Sequence, residues 1–312
     1  MGCSINRVLI GIPAHNEEQN IGFLLARLVK EYPTYDIMVI SSGCTDRTND
    51  IVRGFSSKFR NVKLITEAER KGKSAALAIL LKELNKSYDV LVYMGADNIP
   101  EKGAINKLLN RMVYSHKIGA VSGRPIPLND PDKLCGWIAH IIWGVHHEIC
   151  LQNPKISGEL CALRSNIVYD IPPTIINDDA YFQLILSIRG YELAYEPDAV
   201  VYLRAPETLR DLFKQRYRVT LGHYQVEQLL GAKLPTTYAK RNIRIAWRVR
   251  KRIGLIKEII WFSFFILFSI VVVLKAWFDF YIRRKLPYKW EIIRSTKRVL
   301  KNASAFKSGV KI

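Results

Sequence analysis

Acids that leave strand-like apolar runs beside small residues are the first candidates for chemistry in this 312-residue chain. One such run, residues 89–94, is followed by Gly95-Ala96-Asp97-Asn98-Ile99-Pro100. Asp97 there is a natural oxygen ligand for Mg2+ or Mn2+, which take one or two carboxylates and share their other positions with phosphates and water. The structural alternative is that Asp97 only caps a helix entered through Pro100. Asn177-Asp178-Asp179 opens a second helix pattern, with Phe182, Leu186 and Gly190 at +3, +7 and +11 from Asp179. Paired acids at a helix start often serve only as caps. Here, though, they precede a strand-like run at 191–195, then Pro197, then a basic helix at 209–225 carrying Arg210, Lys214, Gln215, Arg216 and Arg218. Arginines gathered near acids and a metal ligand suit a diphosphate, although a solvated basic face has the same composition.

These groups need elements to hold them at one edge. Residues 7–12, 36–40, 62–65, 89–94 and 118–122 read as Val-, Ile- and Leu-rich strands, and residues 17–30, 46–55, 73–84 and 101–114 as the helices between them. The alternation predicts an α/β fold with a mostly parallel sheet covered on both faces. Ligands then sit beyond the carboxyl ends of the strands. Three more loops lie there. In Ile12-Pro13-Ala14-His15-Asn16-Glu17-Glu18, Pro13 turns the chain, Asn16 is placed to cap the helix, and the two acids suit its positive end. Ser41-Ser42-Gly43-Cys44-Thr45-Asp46 is a small-residue turn, and Arg70-Lys71-Gly72-Lys73-Ser74 adds positive charge.

Charge divides the chain. From Lys240 onward there are nineteen Lys and Arg against three Asp and Glu, so +16 of the net +19 lies in the last quarter. Within it, residues 259–274 are uncharged and almost wholly apolar, and the run reaches Phe278 if Lys275 snorkels, about the length a bilayer span needs. Basic clusters flank both ends, which favours anionic lipid over nucleic acid as the partner. The positive-inside rule opposes exporting the tail. Both flanks are therefore expected to stay cytoplasmic, with the apolar segment dipping in as a bent or in-plane hairpin, and Trp290, Ile293 and Leu300 forming one face of a surface helix; a plain span over 259–278 is the alternative. The division expected is residues 1–239 for catalysis and 240–312 for the membrane. Five cysteines without a CxxC pair exclude a disulfide framework and make a structural zinc site unlikely by spacing. His140, His146 and His147 read as interior or interface side chains. Met1-Gly2-Cys3 starts like an acylation signal, but Asn6 stands where that signal has Ser or Thr.

Taken together, seven segments resemble the family 2 glycosyltransferases of the GT-A fold over about 220 residues. They are IPAHNEE (12–18), SSGCTDRT (41–48), GKSAALAIL (72–80), GADN (95–98), SGELCALRSN (157–166), DDAYFQLILSIRGY (178–191) and QRYRV (215–219). The resemblance implies an inverting transfer from a nucleotide-diphosphate sugar to a lipid-linked or glycan acceptor at the cytoplasmic membrane face. It assigns Asp179, with Asp178, to catalysis and Asp97 to a divalent cation (Mn2+ or Mg2+). Pro13, Ala14, Asn16, Glu17, Ser42, Gly43, Asp46, Lys73, Gly95, Ala96, Gln215 and Arg218 fall to the nucleotide sugar, and Gly158 and Glu159 to the acceptor side. Three positions depart from the family pattern. Ser41 and Ser42 replace paired acids, which leaves the nucleotide open; Gly95 replaces the first metal-motif acid; and Val219 replaces a Trp, which weakens any reading as a processive synthase. The altered second motif also admits a catalytically idle membrane scaffold of the same fold.

Overall fold

The computed structural model describes residues 5–234, 239–287 and 294–297. Strand β1 (Val8–Ala14) alternates between two cores, sending Val8, Ile10 and Ile12 into one and Leu9 into the other. Gly11 falls on the second face, where a Cβ would lie 2.6 Å from the Leu80 side chain. The glycine thus lets helix α3 (Lys73–Ser87) press directly on the strand. Strands β2 (Asp36–Ser42), β3 (Val62–Glu67) and β4 (Val90–Tyr93) join it in the order β3-β2-β1-β4, all parallel. The crossovers contain α1 (Ile21–Glu31) and α2 (Thr48–Ser56). Helix α1 buries Ile21, Leu24, Leu25, Leu28 and Val29, the stripe an amphipathic helix lays on a sheet. Helix α4 (Ala104–Val113) adds Ile105 and Leu108 to the same core. On the opposite face, α3 and α6 (Asp178–Ile188) meet through Leu77, Leu80, Phe182 and Leu186.

The second half of the sheet is mixed rather than parallel. Strands β7 (Cys161–Arg164), β6 (Ile118–Pro127), β8 (Glu192–Leu203) and β5 (Ile99–Pro100) extend it as β4-β7-β6-β8-β5. Only the β6–β8 pair among these is parallel. Strand β8 also runs well past the predicted 191–195. Ser122 pairs with Tyr195 and Arg124 with Val200, so the stretch containing Pro197 bulges out opposite Gly123 and the ladder resumes beyond it. Bulges are where a strand tolerates proline.

Two long helices belong to this half, α5 (Leu134–Gln152) and α7 (Leu209–Leu230). Helix α7 outruns its predicted end and stops at Gly231, whose φ of 64° forms a left-handed cap. The histidines of this region do serve the interior: His140 hydrogen-bonds the Asn129 carbonyl and His147 the Tyr195 hydroxyl, and His146 sits against Cys150 Sγ. Helices α8 (Ala239–Val249) and α9 (Leu255–Trp277) follow. The expected bend in the apolar segment is absent. α9 is one unbroken helix that continues as a π-helical turn over Phe278–Ile282, because no Gly or Pro interrupts 255–282. It packs on α5 and α7 through Trp261 against Trp137 and Phe268 against Phe213. Its other side leaves Ile256, Ile260, Leu267, Leu274 and Ile282 exposed. Asp279 is buried at its far end, held by the Tyr217 hydroxyl at 2.6 Å and by Lys275. The Met1-Gly2-Cys3 start and the face expected from Trp290, Ile293 and Leu300 lie outside the described residues.

Candidate active site

The loops after β1 and β2 are tied together, and the residues that tie them were expected to do other work. Asn16 does not cap α1; that position is Asn20. Instead Asn16 takes a left-handed φ of 53°, accepts from the Thr45 amide at 2.8 Å and donates to the Thr45 hydroxyl. Asp46 is likewise occupied: Oδ1 accepts from the Thr48 amide and hydroxyl, and Oδ2 from the Glu18 amide. Both side chains therefore help to hold the loops that wall the pocket. Pro13 and Ala14 end β1, and Ser42 ends β2, where its hydroxyl accepts from the Lys71 amide at 3.0 Å. Gly43 has φ 56°, and a Cβ there would lie 2.4 Å from the Arg70 amide nitrogen, so only glycine fits. Arg70 is thereby held at the sheet edge. Burial and the nearby Arg218 of α7 both lower its pKa, and neither arginine forms an ion pair among the described residues. Two close, unpaired guanidinium groups are suited to phosphate oxygens. Gln215 makes no hydrogen bond to these residues among those described.

The metal-motif loop does not open a helix. Helix α4 begins at Ala104 behind Gly103, so Asp97 is not its cap. Gly95 and Ala96 keep the turn small, with Asp97 Oδ1 2.8 Å from where a Gly95 Cβ would stand. Asn98 donates to both the backbone oxygen and the carboxylate of Glu159, at 3.0 and 2.8 Å. That bond couples the loop 95–100 to the segment 157–159. Asp97 in turn faces Glu17. Burial first, then Asp97, pushes the Glu17 carboxyl up to about 7, against the pull of Lys297. A carboxylate pair of this kind suits a divalent cation only with outside ligands such as phosphate, since no group of three or more His, Cys, Asp or Glu side chains gathers among the described residues.

Asn177 caps α6 by accepting from the Ala180 amide, which leaves the two following acids free to turn inward. Asp178 pairs with Lys73 Nζ at 2.7 Å. Asp179 Oδ1 has no hydrogen-bond partner among the described residues, and a Cβ on Gly158 would come within 2.4 Å of it. Burial, then Asp178, pushes Asp179 up to about 7, with Lys73 opposing. On Lys73 burial acts downward, but Asp178 and Asp179 overcome it and hold the ammonium above its usual range. The result is a split pair: one carboxylate neutralised by a lysine, the other poised near neutrality.

Sequence reasoning missed Lys297. Its ammonium contacts Glu17 and donates to the His15 carbonyl at 2.8 Å, and Ser295 beside it donates to Asp211 of α7 at 2.6 Å. The segment 294–297 therefore returns from beyond α9 to the first motif. In the sequence it lies within a basic tail and carries no periodic or motif signal of its own.

A family model described as glycosyl transferase family 2 matches residues 9–134, and one described as glycosyl transferase family group 2 matches residues 90–283. The probable glycosyltransferase YdaM of Bacillus subtilis is 31% identical over 241 residues, covering 70% of this chain and 56% of its own. Poly-beta-1,6-N-acetyl-D-glucosamine synthase of Staphylococcus epidermidis is 28% identical over 260 residues, 76% of this chain and 62% of its own. The chain thus spans less than two thirds of the length of these curated relatives. Among solved structures, the mannosyltransferase PcManGT from Pyrobaculum calidifontis, in complex with GDP-Man and Mn2+, superposes with a TM-score of 0.62. The match covers 89% of this chain and 88% of that one at 18% identity, a likeness of fold.

Proposed function

Since the chain belongs to the family 2 glycosyltransferases and has their GT-A fold, we propose that it transfers a sugar from a nucleotide diphosphate to a lipid-linked or glycan acceptor at a membrane surface. One observation carries the reading: Asn98 joins the metal-motif loop to Glu159, and the neighbouring Gly158 abuts the unpartnered oxygen of Asp179. Donor and acceptor sides thus meet at one carboxylate. Arg70 and Arg218 hold the diphosphate, and the loops fixed by Asn16 and Asp46 bound the nucleoside. Asp97 would hold a Mn2+ or Mg2+, which would supply charge neutralisation at the leaving diphosphate. When the acceptor is a hydroxyl, Asp179 takes its proton as the oxygen attacks the anomeric carbon with inversion. Lys73 pairs with Asp178 at 2.7 Å, which leaves the unpartnered Oδ1 of Asp179 to take that proton. A thermal-shift screen of UDP, GDP, CDP and TDP sugars with Mn2+ tests the donor reading. Stabilisation by one nucleotide class together with its slow release is expected; no response to any of them would favour an idle scaffold.

For the membrane we infer that α9 lies in the plane of one leaflet rather than crossing it. Helix α7, with Arg216 and Lys214, runs beside α9 and would have to enter hydrocarbon with it. The return of Lys297 to Glu17 supports the same orientation. Fifteen residues beyond Ile282 reach about 50 Å when extended, so length alone permits a return across a bilayer. Unsatisfied backbone in lipid opposes it. Lys257, Arg283, Arg284 and Lys285 flank the exposed apolar side and suit anionic headgroups.

A further inference from the structure

One buried acid on the donor side has no part in the site described above. Glu67 is the last residue of β3, and the sheet register sets it beside Ser42, the last residue of β2. Alternation along the strands puts these two side chains on one face, with Ile40 and Ile65 before them, whereas Ser41 turns to the face of Val39 and is fully buried. Ser42 stands where the family pattern has an acid, so Glu67 returns a carboxylate to that place from the neighbouring strand. The turn that follows is fastened to β2 at both ends. The Gly43 amide donates to the Glu67 carbonyl at 3.0 Å, and the Lys71 amide donates to the Ser42 hydroxyl. The Glu67 side chain is only 7% exposed, and its Oε2 has no hydrogen-bond partner among the described residues. Its other oxygen lies 3.6 Å from Lys71 Nζ, beyond hydrogen-bond length, and that lysine side chain is 62% exposed. A buried acceptor without a donor is costly, and a ligand that brings a hydrogen relieves the cost.

A carboxylate accepts and cannot donate, so its partner must carry an N–H or O–H. The sheet order decides which part of a nucleotide that is. Strand β3 is three strands from β4, about 14 Å at the usual spacing, and β4 leads into the Asp97 loop. The diphosphate lies toward that loop, the ribose next and the base outermost, so β3 meets the base. We propose that Glu67 reads the base of the donor nucleotide and selects one with a ring N–H on its pairing edge (uracil, thymine or guanine) against cytosine and adenine. The proposal rests on the transferase reading above and names its donor class. Uracil and thymine carry that hydrogen on N3 and guanine on N1, and Oε2 accepts it. Cytosine N3 and adenine N1 carry a lone pair instead, which would face the carboxylate with no hydrogen between them. A site built around one hydrogen bond rejects the analogue that leaves its buried polar group unpaired.

The test is calorimetry on the full chain in phosphatidylcholine nanodiscs with Mn2+, comparing UDP with CDP and GDP with ADP. Each pair shares its ring size and differs at the pairing edge. In at least one pair the N–H base should bind at least about tenfold tighter, the worth of a hydrogen bond to a charged group. Glu67→Gln, an isosteric change whose amide can also donate, should bring that ratio below about threefold, and so should Glu67→Ala, which removes the contact. Mn2+–pyrophosphate, which has no base, should bind wild type and both variants alike. A preference for CDP or ADP, or a ratio that survives either substitution, overturns the proposal. So does loss of pyrophosphate binding in the isosteric variant, which would place Glu67 at the diphosphate. If wild type binds nucleotides without preference in either pair, the base assignment fails and the transferase reading stands; if it binds none, both fail.

Discussion

A carboxylate that titrates near neutrality has a visible consequence at the scale of one residue. Asp179 is up at about 7 in the folded chain, against an ordinary value of 3.8. Donor hydrolysis, with water as the acceptor, should therefore rise with pH through about 7 as Asp179 loses its proton. Lys73→Met, which removes the opposing cation, should move that limb to higher pH; an unmoved limb would reassign it to another group. The stability sign is the reverse of the usual carboxylate case. Between about pH 4 and 7 the folded state holds a proton that the unfolded state has released, so stability falls as pH rises through that window. Asp179→Asn should then unfold at a higher temperature than wild type at pH 8, with the gap shrinking below pH 4. The same variant should keep donor binding and lose about two to four decades of turnover, whereas Asp178→Asn is milder. At the cation, Asp97→Asn should abolish Mn2+-dependent nucleotide binding with the fold intact, and unchanged Mn2+ dependence would remove Asp97 from the site.

Element packing makes its own prediction at β1. Its two-sided burial depends on α3 approaching over Gly11, where an added methyl meets both Leu80 and Leu91 below 3.0 Å. Gly11→Ala should destabilise the chain by about 1–3 kcal/mol, the range for overpacking a closed core, as read from denaturant midpoints. A neutral result would mean that α3 shifts freely on the sheet. Since α3 begins with Lys73, such a shift would also loosen the Asp178 ion pair. Elements and loops are coupled here because every site loop is the end of an element whose other side is core.

The molecule as a whole is defined by α9, an apolar helix fastened along one side to α5 and α7. Its orientation is open to direct measurement. In a background with Cys3 and Cys44 replaced by Ser, Lys257→Cys and Lys285→Cys should both react with a membrane-impermeant thiol reagent from the side that carries the catalytic domain. Reaction of Lys285→Cys from the opposite side alone would establish a span and sink the in-plane reading. Flotation with anionic vesicles should weaken as salt rises, because headgroup attraction is screened within a Debye length.

Local pattern made much of this readable in advance. Val8–Ile12 and its parallel partners alternate between faces through covalent geometry alone, and the turn, cap and acid residues after each strand follow from backbone rules, so the first half of the sheet and the positions of Asp97, Asp178 and Asp179 were legible before any contact was known. The roles of Asn16 and Asp46 were not. Whether a polar side chain caps its own helix or clasps a neighbouring loop depends on which loops the sheet order brings together. Strand β8 was underestimated because Pro197 ends a strand locally and is accommodated only by a bulge against β6. Lys297 reaches Glu17 across 280 residues of chain, and Asn98 reaches Glu159 across 61. No short-range pattern encodes such meetings, since they arise from how whole helices pack.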